Sequence, residues 1–331
     1  MSKFYNTEKF TEIEADLEIL TAQVWDHVIE MPEILEWLKQ FDGQVLPEEE
    51  EKEYMLIALS KFMFFSQRMI REMLISLYRD NFKAPLIQQI RRENNNSLDF
   101  KFLDEQYSNE LKLSRFIGVG NPAESGAHLL YIFRQVNDLR KVLFRDLYHS
   151  FEPKTNSNNT INWCAREPNI KRYVFFDDFV GGGTQITSYL KENLLNIKKN
   201  NPTIELSFLS IFSTTEGLIT LNKPEIFDGK ATCLFELDDT YKSCFADARY
   251  FNKLEKFDMD KFKKIVNHYG SYLYPNYPLG HSNCELMIGF SHNTPNNTLP
   301  IFWKNGYIES LQNDWFPIFK RFEKNYGSMR S

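Results

Sequence analysis

The run Tyr173-Val-Phe-Phe-Asp-Asp-Phe-Val-Gly-Gly-Gly-Thr184-Gln185 limits what this chain can fold into more than any other stretch. Tyr173 to Phe176 are four consecutive apolar residues, the signature of a short buried strand. Asp177 and Asp178 stand at its C-terminal end, and Gly181, Gly182 and Gly183 lead into Thr184 and Gln185. A helix is expected next, because Ile186, Leu190, Leu194 and Ile197 recur at helical spacing. Glycines let backbone N–H groups approach a phosphate closely, and a helix N-terminus adds favourable potential. The two carboxylates can accept hydrogen bonds from vicinal sugar hydroxyls or hold a metal bridging sugar and phosphate. No Lys follows the glycines, which excludes a Walker loop, and there is no Gly-x-Gly-x-x-Gly fingerprint. The competing reading is structural, an acidic pair capping a turn before an ordinary helix.

The alternation of elements around this stretch predicts the fold class. Ile204 to Phe212 and Ala231 to Leu237 read as further strands with helical pieces between and after them. Strands alternating with helices predict a parallel α/β sheet, with ligands at the carboxyl ends of the strands. That rule places Asp177, Asp178, Thr214, Asp238 and Asp239 on one rim. Upstream, Arg115-Phe-Ile-Gly-Val-Gly-Asn-Pro-Ala-Glu-Ser-Gly126 forms a strand and small-residue loop. It should run into one long helix buried through Leu129, Phe133, Val136, Leu143 and Leu147. Residues 1–95 read as a helical N-terminal region, including one helix from Pro47 to about Tyr78, and residues 96–331 as the α/β domain. The polar interval around Lys154 to Trp163 reads as a mobile loop, with Lys154 and Arg166 as its available cations. Near the C-terminus, a strand from Leu286 to Phe290 precedes His292, Asn293, Asn296, Asn297 and Trp303, side chains suited to stacking on and hydrogen bonding to a base.

Composition removes other classes of function. The net charge of −6 gives no support for a broad nucleic-acid-binding surface. The four cysteines show no Cys-x-x-Cys and no zinc spacing, so free thiols in a reducing cytoplasm are expected. No stretch is apolar enough to span a membrane, and the N-terminus lacks a secretory pattern.

Together the acidic pair, its flanking apolar residues and the small-residue loop resemble the phosphoribosyl pyrophosphate (PRPP) motif of type I phosphoribosyltransferases. The resemblance implies that Asp177 and Asp178 hold the ribose 2′- and 3′-hydroxyls. Gly181, Gly182, Gly183, Thr184 and Gln185 would cradle the 5′-phosphate. By position, Glu124, Ser125 and Gly126 would lie nearest the pyrophosphate, and Mg²⁺ would bind with the ligand at Asp177 and Asp178. The common family loop carries hydroxyl residues fourth and seventh after the second Asp; here those positions are Gly182 and Gln185, with Thr184 sixth.

The Asn293-Thr-Pro-Asn-Asn-Thr298 run before Phe302-Trp303 and the Gly120-Asn-Pro-Ala-Glu-Ser-Gly126 segment narrow the resemblance. They are similar to phosphoribosyltransferase-like proteins of bacterial conflict and antiviral systems, including effectors encoded beside retron reverse transcriptases. What this implies is an antiphage effector, such as a toxin, that transfers or cleaves a ribosyl phosphate. Its implied partners are PRPP or a nucleotide, a retron reverse transcriptase with its DNA–RNA product, and a winged-helix protein. A non-catalytic nucleotide or nucleic-acid sensor on the same fold, or a purely structural adaptor, remains open at this point.

Overall fold

The computed structural model describes residues 8–120, 125–155, 161–251, 254, 257–308 and 313–322. Helices α1 (Glu8–Ile19), α2 (Met31–Leu38) and α3 (Glu48–Ser60) precede strand β1 (Met63–Phe65). Helices α4 (Gln67–Leu77), α5 (Ala84–Glu93) and α6 (Phe100–Lys112) lead into β2 (Ser114–Gly118) and α7 (Ser125–Val136). Then come β3 (Phe144–Arg145), α8 (Leu147–Ser150), β4 (Phe151–Thr155), β5 (Ile161–Ala165) and β6 (Arg172–Val180). Helix α9 (Thr184–Asn200), β7 (Glu205–Thr214), α10 (Thr215–Leu221) and β8 (Ala231–Leu237) follow. The chain continues through α11 (Met259–Leu273), β9 (Ile288–Phe290), α12 (Pro300–Trp303), β10 (Gly306–Ile308) and β11 (Asn313–Trp315).

These elements divide into two compact units. Residues Met1–Ile70 and Asp238–Ser331 form one, and Arg71–Leu237 forms the other. The expected boundary near residue 95 thus falls inside the second unit, and the last third of the chain groups with the N-terminal segment. Among the described residues, no helix is long and apolar enough to cross a membrane.

In the Arg71–Leu237 unit, five parallel strands run in the order β3-β2-β6-β7-β8. The protein is therefore α/β with a central parallel sheet. Tyr173, Val174, Phe175 and Phe176 in β6 are all buried, as a central strand covered on both faces requires. On one face Ile117, Tyr173, Phe175, Leu206, Phe208 and Ala231 pack in one cluster with Ile186, Leu190, Leu194 and Ile197 of α9. On the other, Phe133 of α7 meets Phe116 and Phe176, with Phe82 and Phe144 beside Phe116. The predicted α9 face is the one observed.

Three expectations are corrected. The helix expected from Pro47 to Tyr78 is interrupted, because Met63–Phe65 pairs in parallel with Ile288–Phe290 and its backbone bonds go to that ladder. After the break, α4 buries Ile70, Leu74 and Leu77. Helix α7 ends at Val136, short of Leu143 and Leu147. Asp138 takes a left-handed φ of 48° and the Leu139 N–H bonds back to the Arg134 carbonyl at 3.0 Å, a glycine-free Schellman ending. The released segment supplies β3. Last, both flanks of the polar interval are antiparallel strands, β4 and β5, paired from Phe151↔Ala165 to Thr155↔Ile161. The residues between them, 156–160, lie outside the described ones.

The other unit has an aromatic core. Trp37 stacks on Phe302, and Phe41 lies edge-on to Tyr269 and Trp315.

Candidate functional site

Strand β6 runs past Phe176 to Val180, so the acidic pair lies within its last four residues and not beyond its end. The extension is possible because β7 continues beside it, with Asp177↔Ser210, Phe179↔Phe212 and Val180↔Ser213 as partners. Asp177 is half-buried, and Asp178 retains 8% of its exposure. Each carboxylate takes a hydrogen bond from the next backbone amide. Asp178 N donates to Asp177 Oδ1 at 2.9 Å, and Phe179 N donates to Asp178 Oδ1 at 2.9 Å. Such local bonds fix the direction of short acidic side chains.

The glycine loop follows without a gap. Gly183 has φ +73°, and an added Cβ would come within 3.0 Å of Thr220, so both backbone and space call for glycine. Gly182 differs: the nearest atom to a Cβ there is Thr184 Oγ1 at 3.8 Å. Gly183 is the N-cap of α9 and no side chain caps the helix. Thr184 and Gln185 are exposed in its first turn. The unmet amides of that turn and the helix dipole make this loop an anion-binding end.

Helix α10 holds the loop from behind. Thr214 Oγ1 donates to the Gly181 carbonyl at 3.0 Å and accepts from Gly217 N at 3.0 Å. A Cβ on Gly217 would lie 2.0 Å from the Gly181 oxygen, so glycine alone fits beneath the loop. Thr214 was expected on the rim; its grip on Gly181 and the role of Gly217 were not. The Thr214-Thr-Glu-Gly217 spacing, a capping threonine three residues before its donor, is the signal that could have found them.

The start of α7 reaches the same edge of the sheet. Gly126, at the start of α7, is packed so closely that a Cβ would fall 2.7 Å from the Val119 carbonyl and 3.1 Å from that of Phe176. Val119 N donates to Phe176 O at 2.9 Å. Gly126 therefore adjoins the residue preceding Asp177. Glu124 and the side chain of Ser125 lie outside the described residues.

Asn293 and Asn296 belong to the other unit. Asn293 Oδ1 accepts from Phe322 N at 3.0 Å, and the Asn296 carbonyl accepts from His281 N at 2.7 Å. Trp303, also expected to stack on a base, is buried and donates its indole N–H to Thr298 O at 2.7 Å; its work is structural. Lys154 and Arg166 both pair with Glu152, at 3.0 and 2.8 Å.

Among the described residues, no group of three or more His, Cys, Asp or Glu side chains could hold a metal ion. Asp177 and Asp178 are consecutive in β6, so their side chains leave opposite faces of the strand, and either could give one oxygen to a Mg²⁺ whose others come from water and a phosphate-bearing ligand.

A family model covers most of the chain, matching residues 34–321. The chain belongs to the PRTase-CE family. Its fold is accordingly phosphoribosyltransferase-like. Similar solved structures include a Helicobacter pylori xanthine-guanine-hypoxanthine phosphoribosyltransferase, 12% identical, covering 53% of this chain and 86% of that one at a TM-score of 0.27. A purine phosphoribosyltransferase from Pyrococcus horikoshii is 10% identical over 54% and 87%, with a TM-score of 0.25. The Trypanosoma brucei adenine phosphoribosyltransferase, solved with AMP, pyrophosphate and ribose-5-phosphate, is 12% identical over 49% and 78%, at 0.23. No curated protein matches the chain.

Proposed function

We propose that this protein binds PRPP, or a related ribosyl phosphate or nucleotide, and transfers or cleaves the ribosyl phosphate. One observation carries the reading. In a chain of the PRTase-CE family, an acidic pair near the C-terminal end of a central parallel strand adjoins a glycine loop and a helix N-terminus that no side chain caps. In this reading Asp177 and Asp178 accept hydrogen bonds from the ribose hydroxyls. Backbone amides from Gly181 to Gln185, with the Thr184 hydroxyl, donate to the 5′-phosphate. The pyrophosphate is assigned to the segment Glu124-Ser125-Gly126. The C1′–O bond of PRPP breaks with its electron pair leaving on pyrophosphate, positive charge develops on the sugar, and an acceptor or a water molecule bonds to C1′ and releases its proton to solvent. Carboxylates facing that sugar favour the charged state over the neutral one. Mg²⁺ bound with the ligand would neutralise charge on the departing pyrophosphate. No strong base is needed for that step.

The resemblance to conflict-system proteins extends the proposal to cytoplasmic antiphage defence, with a toxin-like output. A retron reverse transcriptase, its DNA–RNA product and a winged-helix protein are the proposed partners.

The test is the Asp177→Asn/Asp178→Asn double variant. Asn retains the Oδ1 acceptor that each backbone amide uses, so the melting temperature should change little. Calorimetric affinity for PRPP with Mg²⁺ should fall about a hundredfold or more, because two charge-assisted hydrogen bonds at roughly 1.5–3 kcal/mol each are weakened. Phage protection should be lost with it. A variant that melts, binds and protects like the wild type would remove the reading.

A further inference from the structure

Strand β7 carries a buried hydroxyl that the fold itself does not use. Ser210 is 0% exposed, and its Oγ has no hydrogen-bond partner. Its strand neighbours Leu209, Ile211 and Phe212 are buried apolar residues, so alanine or valine would satisfy packing at this position. An unpartnered buried hydroxyl is a cost that native chains rarely carry without a reason. The reason is in the register. Ser210 pairs with Asp177 on one side and with Cys233 on the other. Paired residues of a parallel ladder project from the same face of the sheet, so aspartate, serine and cysteine form one row. Burial, with Glu236 adding to it, pushes the Cys233 thiol up to about 11, so a neutral group flanks the serine on that side.

We propose that Ser210 is the positioning residue for Asp177, its hydroxyl donating to that carboxylate when the carboxylate turns to a bound ribosyl phosphate. Asp177 Oδ1 is engaged by the Asp178 amide in the structure described above. Redirecting the carboxylate to sugar hydroxyls calls for a second donor to fix it, and Ser210 is the donor held in reserve beside it. This inference rests on the ribose-binding reading of Asp177.

The experiment is a double-mutant cycle of Ser210→Ala and Asp177→Asn, read by calorimetric binding of PRPP with Mg²⁺ and by thermal melting of each variant. Ser210→Ala should melt about 2 °C or more above wild type, since it removes a buried orphan. It should also weaken PRPP binding about tenfold, the worth of a hydrogen bond to a charged group. In the Asp177→Asn background the Ser210→Ala change should have almost no further effect on binding, because contacting residues couple. A purely structural serine would weaken binding equally in both backgrounds, and that result overturns the proposal. A lower melting temperature for Ser210→Ala also overturns it, by showing that the hydroxyl already has a partner. If Asp177→Asn weakens binding but Ser210→Ala does not, the positioning role fails and the ribose-binding reading stands. If Asp177→Asn has no effect, both fall.

Discussion

Two glycines on either side of the same loop should respond in opposite ways to a single added methyl. At Gly217 the new Cβ would lie 2.0 Å from the Gly181 oxygen and 2.9 Å from Val180 Cγ1. Real Cβ atoms essentially never come within 3.0 Å of such atoms, so the loop or the start of α10 must move by at least about 1 Å. That shift breaks the Thr214 to Gly181 bond and strains the Thr214 cap on Gly217. Overpacking costs about 1–3 kcal/mol and a lost cap about 1 kcal/mol, so Gly217→Ala should lose roughly 2–4 kcal/mol of stability. At Gly182 a Cβ meets nothing closer than 3.8 Å, and φ is not left-handed. Gly182→Ala should therefore fold as well as wild type, or gain about 0.4–1 kcal/mol through a stiffer unfolded chain. Its methyl would nonetheless stand where a phosphate approaches the backbone, lowering PRPP affinity by about tenfold or more. Urea denaturation and calorimetric titration of both variants make the comparison. A Gly217→Ala protein as stable as wild type would refute the account of how the loop is held. A Gly182→Ala protein with wild-type affinity would place the phosphate elsewhere.

Two carboxylates should give opposite pH signatures. Burial raises the Glu285 carboxyl above its usual range, against the pull of Lys263 at 3.8 Å and of Lys242. The folded state thus holds that proton more tightly than the unfolded one, and stability present below the unfolded value is lost as pH rises through the folded value. Glu285→Gln should be more stable than wild type at pH 7, with the gain vanishing near pH 4; a constant difference across urea melts from pH 4 to 8 would contradict this. Glu167 is the reverse case, lowered first by its hydrogen bonds to the buried Arg115 guanidinium. Its contribution is present above the unfolded value and is lost as pH falls through the folded one. Glu167→Gln should cost about 1–3 kcal/mol at pH 7, below the full cost of breaking a buried pair because Glu167 is a third exposed. That deficit should shrink on acidification, and one that grows instead would refute the pairing argument.

The candidate site was legible in sequence where its parts are contiguous. An apolar run, two carboxylates, three glycines and a helical pattern occur within one stretch, and local chemistry alone assigns each a place. The strand's true end was not legible. Carboxylates after Phe176 look like a strand terminus, yet β6 continues to Val180 because β7 offers partners beyond that point. The parts supplied by β7 and α10 were hidden for the same reason. Ser210 reads as one of several small polar residues along the strand, and only the ladder sets it beside Asp177. Gly217 reads as a helix-weakening residue until the Gly181 carbonyl is seen lying over it.

The partner of the N-terminal helices was the harder inference. Trp37 and Phe41 mark an apolar face that must be covered, but periodicity does not say by what. In the structure that face is covered by residues from the far end of the chain. Trp37 Nε1 donates to Ile301 O at 3.1 Å, and Gln40 Nε2 to Phe316 O at 3.0 Å. Trp37 stacks on Phe302, and Phe41 packs on Tyr269 and Trp315. Strand β1 belongs to the same closure. Its three residues sit between two helical stretches, and without β9 their amides would have continued the helix. A strand so short lacks stability of its own, so its conformation is decided by a partner that the local sequence does not contain. The Arg71–Leu237 unit is inserted between the two halves of this closure. Because of that insertion, β2 opens onto the parallel sheet well inside a compact unit and not at its edge.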